Sequence, residues 1–199
     1  GVTTAVDCVN TTGWTAALNV MQHSAAAAIG FQETKRLDGL QLIEAEAAAR
    51  NAKWSLTLGP AQRTANGGVS AGVGIAARTY YGLGRGSVNP AAPDIAARLR
   101  CAWFPGIVRG GVHLITIYLV SGEKLSSPAN RRILEAASQL IDTLDGPWIG
   151  MADWQNSPSD LDASNWDRMN GGAIHAPDEP TCGANIIDFF VVSDLIASA

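Results

Sequence analysis

From residue 54 to residue 120 the sequence runs as four strand-like segments with no helical period between them, and this block most constrains the fold. The segments are 54–58, 68–78, 95–104 and 112–120, separated by stretches bearing Gly and Pro. They predict an antiparallel meander. Helical patterns stand on either side. Residues 14–28 carry Leu18, Met21 and an alanine run without a breaker, and 37–53 place Leu40, Ile43, Ala47 and Arg50 at helical spacing. Residues 131–144 follow Pro128, whose fixed φ suits a helix start, and Gly146-Pro147 ends them. Shorter strands are expected at 2–9, 29–35, 148–152 and 185–193, with a polar stretch over 155–167 and a turn at Gly171-Gly172. Strands gathered centrally and helices outside fit two packed, mainly antiparallel sheets flanked by helices better than a regular βαβ alternation.

At 199 residues and 47% hydrophobic, the chain has the size of one domain with a sizeable core, and 1–199 is read as that domain. No apolar run reaches eighteen residues, so no membrane span is expected. Residues 1–10 hold neither a basic n-region nor an apolar h-region, and the absent initiator Met points to processing or excerpting. Cys8, Cys101 and Cys182 form an odd, widely spaced set with no CxxC or HxxxH, which argues against a disulfide framework or a zinc site and favours an intracellular, reducing compartment. The net charge of −4 is a poor footprint for tight, sequence-independent DNA binding. Its distribution is uneven: Arg78, Arg85, Arg98, Arg100 and Arg109 face Asp94 alone in their segment, either as a solvated strand face or as a phosphate-facing patch.

Four strand ends finish in groups suited to a hard cation or a phosphate: Asn10, Glu33, Asp153 with Gln155, and Asp188. Magnesium needs one or two carboxylates, with water and phosphate oxygens completing its octahedron. Attack on phosphorus also needs a group to align or deprotonate water, which a carboxylate beside a carboxamide supplies. Singly, each such residue is more often a turn or cap residue. Their order along the chain carries the signal.

Phe31-Gln32-Glu33-Thr34-Lys35 resembles the metal-binding QET segment of the endonuclease/exonuclease/phosphatase superfamily, and retroelement-type endonuclease domains are the nearest in feel. In sequence order, Asn10 before Gly13-Trp14 is similar to the family's first-strand Asn, and residues 68–73 to its glycine-led third strand. Ile115-Thr116-Ile117-Tyr118 resembles the strand ending in an active-site Tyr, Ala152-Asp153-Trp154-Gln155 the GDxN segment, and residues 187–193 the IDY strand. The resemblance implies a four-layer α/β sandwich of two mainly antiparallel sheets flanked by helices. It also implies phosphodiester hydrolysis dependent on Mg2+ or Mn2+, with nucleic acid or another phosphoester as substrate. Glu33 would bind the metal, Asn10 and Tyr118 would position phosphate, Asp153 with Gln155 would activate water, and Asp188 would orient the family's catalytic histidine.

That histidine, in an SDH motif on a strand after the IDY strand, has no counterpart before Ala199. Ser193-Asp194-Leu195 begins like the motif but comes too soon after Asp188, and His23, His113 and His175 match no family position. Gln155 stands for Asn, Ala152 for Gly, and Thr12 for an acid frequent in nucleases. Two readings follow. The chain is a nuclease-type domain shown without its last strand and with weak or absent turnover, or a catalytically degenerate member serving as a binding or structural subunit. The missing strand would leave a C-terminal sheet edge open to a protein partner. Asn10-Thr11-Thr12 is formally a glycosylation sequon, at a position where a buried site makes occupancy unfavourable.

Overall fold

Small residues at strand centres let two sheets approach closely enough to form the middle of the molecule. The computed structural model describes residues 4–37, 39–85 and 89–197, so the expected strand residues 2 and 3, Asp38 in the second helix and part of the 82–94 loop lie outside it. In chain order the elements are β1 (Val6–Asn10), α1 (Trp14–His23), β2 (Ala28–Gln32), α2 (Leu40–Asn51), β3 (Trp54–Leu58), β4 (Gln62–Arg63), β5 (Val69–Ser70), β6 (Gly74–Arg78) and β7 (Gly84–Arg85). There follow α3 (Pro93–Ala96), β8 (Leu99–Phe104), β9 (Val112–Tyr118), α4 (Pro128–Ile141), β10 (Trp148–Asp153), α5 (Pro158–Ser164), α6 (Trp166–Met169), β11 (Gly172–His175), β12 (Asp188–Ser193) and α7 (Asp194–Ala197).

One sheet has the order β1-β2-β6-β3 and the other β11-β12-β10-β9-β8-β7. Each is antiparallel except for one parallel pair, β1 with β2 and β9 with β10. Between the sheets lie Ala28, Ile75 and Ala77 of the first and Phe104, Leu114, Ile149 and Met151 of the second. Gly30 marks a close approach between them: a Cβ there would stand 2.9 Å from Cβ and Cε of Met151. Outside the first sheet, Ala17 and Met21 of α1 and Ala49 of α2 pack on Ile29, Phe31 and Trp54. Outside the second, Ile133, Ala137 and Leu140 of α4, with Leu161 and Trp166, cover Ile115, Ile117 and Val191. The expected α/β sandwich of helix, sheet, sheet and helix layers is present.

Local expectations differ where packing overrides propensity. The meander does not exist as one sheet: β3 pairs with β6 in the first sheet, whereas β8 pairs with β9 in the second. The segment 68–78 breaks at Ala71 and Gly72, whose φ values of 61° and 86° turn the chain between β5 and β6. The first helix stops at His23, and Ala26, Ala27 and Ala28 are buried, Ala28 as the first residue of β2. Alanine favours helix, but only a small side chain fits between layers this close. The polar stretch 155–167 contains α5, started by a capping box in which Ser157 and Asp160 satisfy each other's backbone N–H groups.

Among the described residues β12 is the last strand and lies between β10 and β11, so β12 itself is not a sheet edge. The open edge nearest the strand ends belongs instead to β1. Among the described residues, Arg78, Arg98 and Arg100 form neither a fully solvated face nor an open patch. Arg78 stacks on Trp54 at 4.2 Å and donates to the Ala26 and Ser24 carbonyls. Arg100 donates to Thr57 Oγ1 at 2.7 and 3.0 Å, Arg98 turns inward beside Tyr118, and Arg109 is exposed. The side chain of Arg85 is outside the described set.

Candidate phosphoester-cleaving site

Sheet register sets the site. At one end of the second sheet, Tyr118 on β9, Asp153 on β10 and Asp188 on β12 are successive cross-strand partners. In the first sheet Asn10 and Gln32 are partners at the ends of β1 and β2, and Glu33 comes next. Three strand ends of one sheet and two of the other meet.

Gln32 fixes how they meet. It is fully buried, and its Nε2 donates to Thr116 Oγ1 at 2.9 Å and to the Met151 carbonyl at 3.2 Å, both on the opposite sheet. A buried amide left without partners would cost roughly 1–3 kcal/mol, so satisfaction across the gap locks the relative height of the sheets. Thr116 returns a bond from its hydroxyl to the Phe31 carbonyl at 3.3 Å.

Glu33 follows with φ of 57°, a left-handed conformation uncommon for a non-glycine residue. The turn is held by Thr34 N–H and Lys35 N–H, which donate to the Gly72 and Ala71 carbonyls at 2.9 and 3.1 Å. It presents a carboxylate whose side chain is only 20% exposed: Oε1 accepts a short hydrogen bond from the Tyr118 hydroxyl, and Oε2 lies 3.4 Å from Lys35 Nζ. Burial, with the Glu33 charge and its hydrogen bond next in weight, pushes the Tyr118 phenol well above its usual range, so it stays a donor.

Asp153 is fully buried and crowded by donors. Asn10 Nδ2 donates to its Oδ2 at 2.7 Å, and Gln155 Nε2 reaches both oxygens at 2.8 Å. The backbone N–H of Gln155 adds 3.2 Å to Oδ1, and Asn10 Oδ1 accepts from Thr12 N–H at 3.1 Å, which fixes its amide orientation. Burial pushes Asp153 up to about 6, and the neighbouring Asp188 charge adds to this against the hydrogen bonds from Asn10 and Gln155. A carboxyl at that value is poised to exchange a proton near neutral pH. Burial raises Asp188 as well, and its Oδ1 is buried with no hydrogen-bond partner.

Asn10, Asp153, Gln155 and Asp188 line a groove of about 950 Å3 that runs along β1, with His175 and Cys182 on its rim. Glu33 and Tyr118 do not line it. The expected residues therefore form two adjoining clusters, Glu33 with Tyr118 and Asn10 with Asp153, Gln155 and Asp188, joined through the Tyr118–Asp153 register. Thr181 was missed by sequence reasoning: its Oγ1 accepts from the backbone N–H groups of Ile187 and Asp188 at 3.0 Å. Arg98 was seen only as part of a charge count. Nothing in the sequence near either residue signals the role.

Among the described residues no group of three or more His, Cys, Asp or Glu is arranged to enclose a metal ion. What the chain offers a hard cation here is the single carboxylate of Glu33, whose Oε1 accepts from Tyr118 and whose Oε2 lies beside Lys35, which suits an open, water-rich site and not a closed structural one.

The architecture is that of the endonuclease/exonuclease/phosphatase fold. The AP endonuclease LMAP of Leishmania major superposes with a TM-score of 0.64 at 15% identity, over 97% of this chain and 79% of that one. The endonuclease domain of TRAS1, a telomere-specific non-LTR retrotransposon, gives 0.61 at 13% identity, over 95% and 84%. A mannosyl-6-phosphatase of Bacteroides thetaiotaomicron gives 0.55 at 14% identity, over 97% and 85%. At these identities the likeness is one of fold. No model of a known protein family matches the chain, and no curated protein does.

Proposed function

We propose that this chain carries a phosphodiester-hydrolysing centre that uses Mg2+ or Mn2+ and acts on nucleic acid. The observation that supports this most is Asp153: a buried carboxyl at the meeting of two sheets, pushed up to about 6 and aligned by register with the Tyr118–Glu33 pair.

Glu33 holds the cation, which when bound supplies Lewis-acid stabilisation of charge on the phosphate oxygens. Tyr118 donates to Glu33 and keeps the carboxylate turned to the strand ends. Ionised Asp153 accepts the proton of the attacking water. Gln155 and Asn10 hold both Asp153 oxygens in place, so the base loses little orientational freedom when it acts. Asp188, beside Asp153 in register, has an oxygen without a partner among the described residues that can orient a solvent water, and that water supplies the proton to the leaving oxygen. The fold neighbours named above include enzymes for DNA and for a sugar phosphate, so substrate class rests on loops rather than on these residues.

The test is a substrate panel with purified protein: plasmid DNA, duplex DNA with an abasic site, single-stranded RNA and a sugar monophosphate, each with Mg2+, Mn2+ or EDTA. Cation-dependent cleavage of a nucleic acid, lost in Asp153→Ala, is the expected result. A folded protein that leaves every phosphodiester intact with both cations overturns the proposal.

A second reading, a binding or structural subunit without turnover, is favoured by one observation. The outer edge of β1 is unpaired and borders the groove, and such an edge can accept a strand from another chain. A silent substrate panel together with a stable complex seen by light scattering would support it.

A further inference from the structure

Arg98 is drawn in beside the strand ends that carry Tyr118 and Asp153, and among the described residues no carboxylate lies within ion-pair distance of it. Its guanidinium carbon lies 4.9 Å from the centre of the Tyr118 ring, and its Nη1 donates to the Tyr118 and Leu119 carbonyls at 3.3 and 3.2 Å. Its own carbonyl accepts from Tyr118 N–H at 2.9 Å. Tyr118 is thus held by ring, carbonyl and amide from one residue.

Two lines run outward from that grip. Through the ring, Arg98 fixes the phenol that donates to Glu33. Through the Tyr118–Leu119 peptide it reaches Asp153, because the Tyr118 carbonyl of that peptide accepts from Arg98 while its Leu119 N–H donates to the Asp153 carbonyl at 3.1 Å. A single guanidinium nitrogen, with the guanidinium beside the Tyr118 ring, therefore ties the segment carrying the base to the side chain holding the metal ligand. Desolvation at this partly buried position pulls the Arg98 guanidinium below its ordinary range, against the opposing influence of Tyr118, Glu33, Glu123 and Asp153. We infer that Arg98 is a positioning residue, setting the spacing between Glu33 and Asp153 by gripping Tyr118 and the Leu119 peptide together; this rests on the hydrolytic reading above.

Lysine cannot replace it. An ammonium keeps the charge but lacks the delocalised guanidinium surface beside the ring and its preset donor geometry, so it cannot hold the ring and the two carbonyls together in the same way. A misplacement of roughly 1 Å at a reacting pair costs about 10²-fold in rate, which sets the expected scale.

The experiment is a cycle of Arg98→Lys and Tyr118→Phe, with kcat and KM on the cleaved substrate, Mn2+ affinity by calorimetry, and urea unfolding to establish that each variant is folded. Arg98→Gln, which keeps amide donors and drops the charge, serves as a second route should the lysine variant not fold. Expected are a fall in kcat of about 10²-fold for Arg98→Lys with KM changed less than about threefold, and a smaller fall when Tyr118 is already Phe, because the phenol line to Glu33 is then already cut and only the backbone line to Asp153 is left for Arg98 to act through. Weaker Mn2+ binding in Arg98→Lys, absent from the Tyr118→Phe background, is expected in parallel. Unchanged kcat and Mn2+ affinity in a folded variant, or fully additive losses, overturn the inference. A wild type that binds Mn2+ with this coupling and cleaves nothing sinks the hydrolytic reading and leaves the positioning role standing.

Discussion

Asp153→Asn separates the stability cost of the site from its chemistry. In the folded protein the carboxyl is fully buried and pushed from 3.8 up to about 6, chiefly by burial. A raised carboxyl favours the fold while protonated: its contribution is whole below pH 3.8 and is lost as pH rises through about 6. At about 1.4 kcal/mol per unit, ionising Asp153 costs the fold about 3 kcal/mol, roughly half of it between pH 5 and 8. Asparagine carries no charge, but its amide would point a donor at the donors of Gln155 or Asn10, a mismatch of about 1–3 kcal/mol that does not vary with pH. The informative quantity is therefore the change of the difference between variant and wild type with pH. Urea unfolding followed by tryptophan fluorescence at pH 5 and pH 8 should show the variant gaining about 1–2 kcal/mol on wild type across that interval. Parallel pH dependences would refute the reasoning, since they would mean that Asp153 is not ionised against burial.

Three further outcomes are expected. The rate of cleavage in wild type, as kcat/KM, should rise with unit slope up to about pH 6 and then level off, because ionised Asp153 is the base; a profile flat from pH 5 to 8 contradicts that role. Gly30→Ala places a Cβ 2.9 Å from Met151 between the sheets and should cost about 1–3 kcal/mol in urea unfolding, whereas no loss would mean that the sheets separate easily. Gly72→Ala adds a Cβ at φ of 86°, 2.7 Å from Thr34 Oγ1, and should lower Mn2+ affinity in calorimetry by shifting the Glu33 turn; unchanged affinity in a folded variant would detach the turn from the site.

The residues were more legible than the geometry. Glu33, Asp153 and Asp188 stood out because polar groups end apolar strands, and the second sheet does set Tyr118, Asp153 and Asp188 side by side. That Asn10 from the other sheet would touch Asp153 followed from no spacing, since 143 residues separate them and only the height fixed by Gln32 brings them together. The β3–β6 and β8–β9 pairings were misassigned to one meander, because strand period reports which residues face inward and carries nothing on which sheet a strand joins. Arg78, Arg98 and Arg100 looked like a surface charge run. In the fold their long stems are drawn into packing, with carbonyls, a hydroxyl and aromatic faces as partners. The strand β11 was hidden in a glycine turn, and it is what turns β12 from an edge into an interior strand.

The central claim is that a divalent cation held by Glu33 drives phosphodiester cleavage, and nicking of supercoiled plasmid tests it most directly. Wild type should convert supercoiled to open-circular DNA with Mg2+ and stop with EDTA, while Glu33→Ala, shown to be folded by urea unfolding, should lose at least about 10²-fold of that rate. Nicking by Glu33→Ala at the wild-type rate would contradict the account.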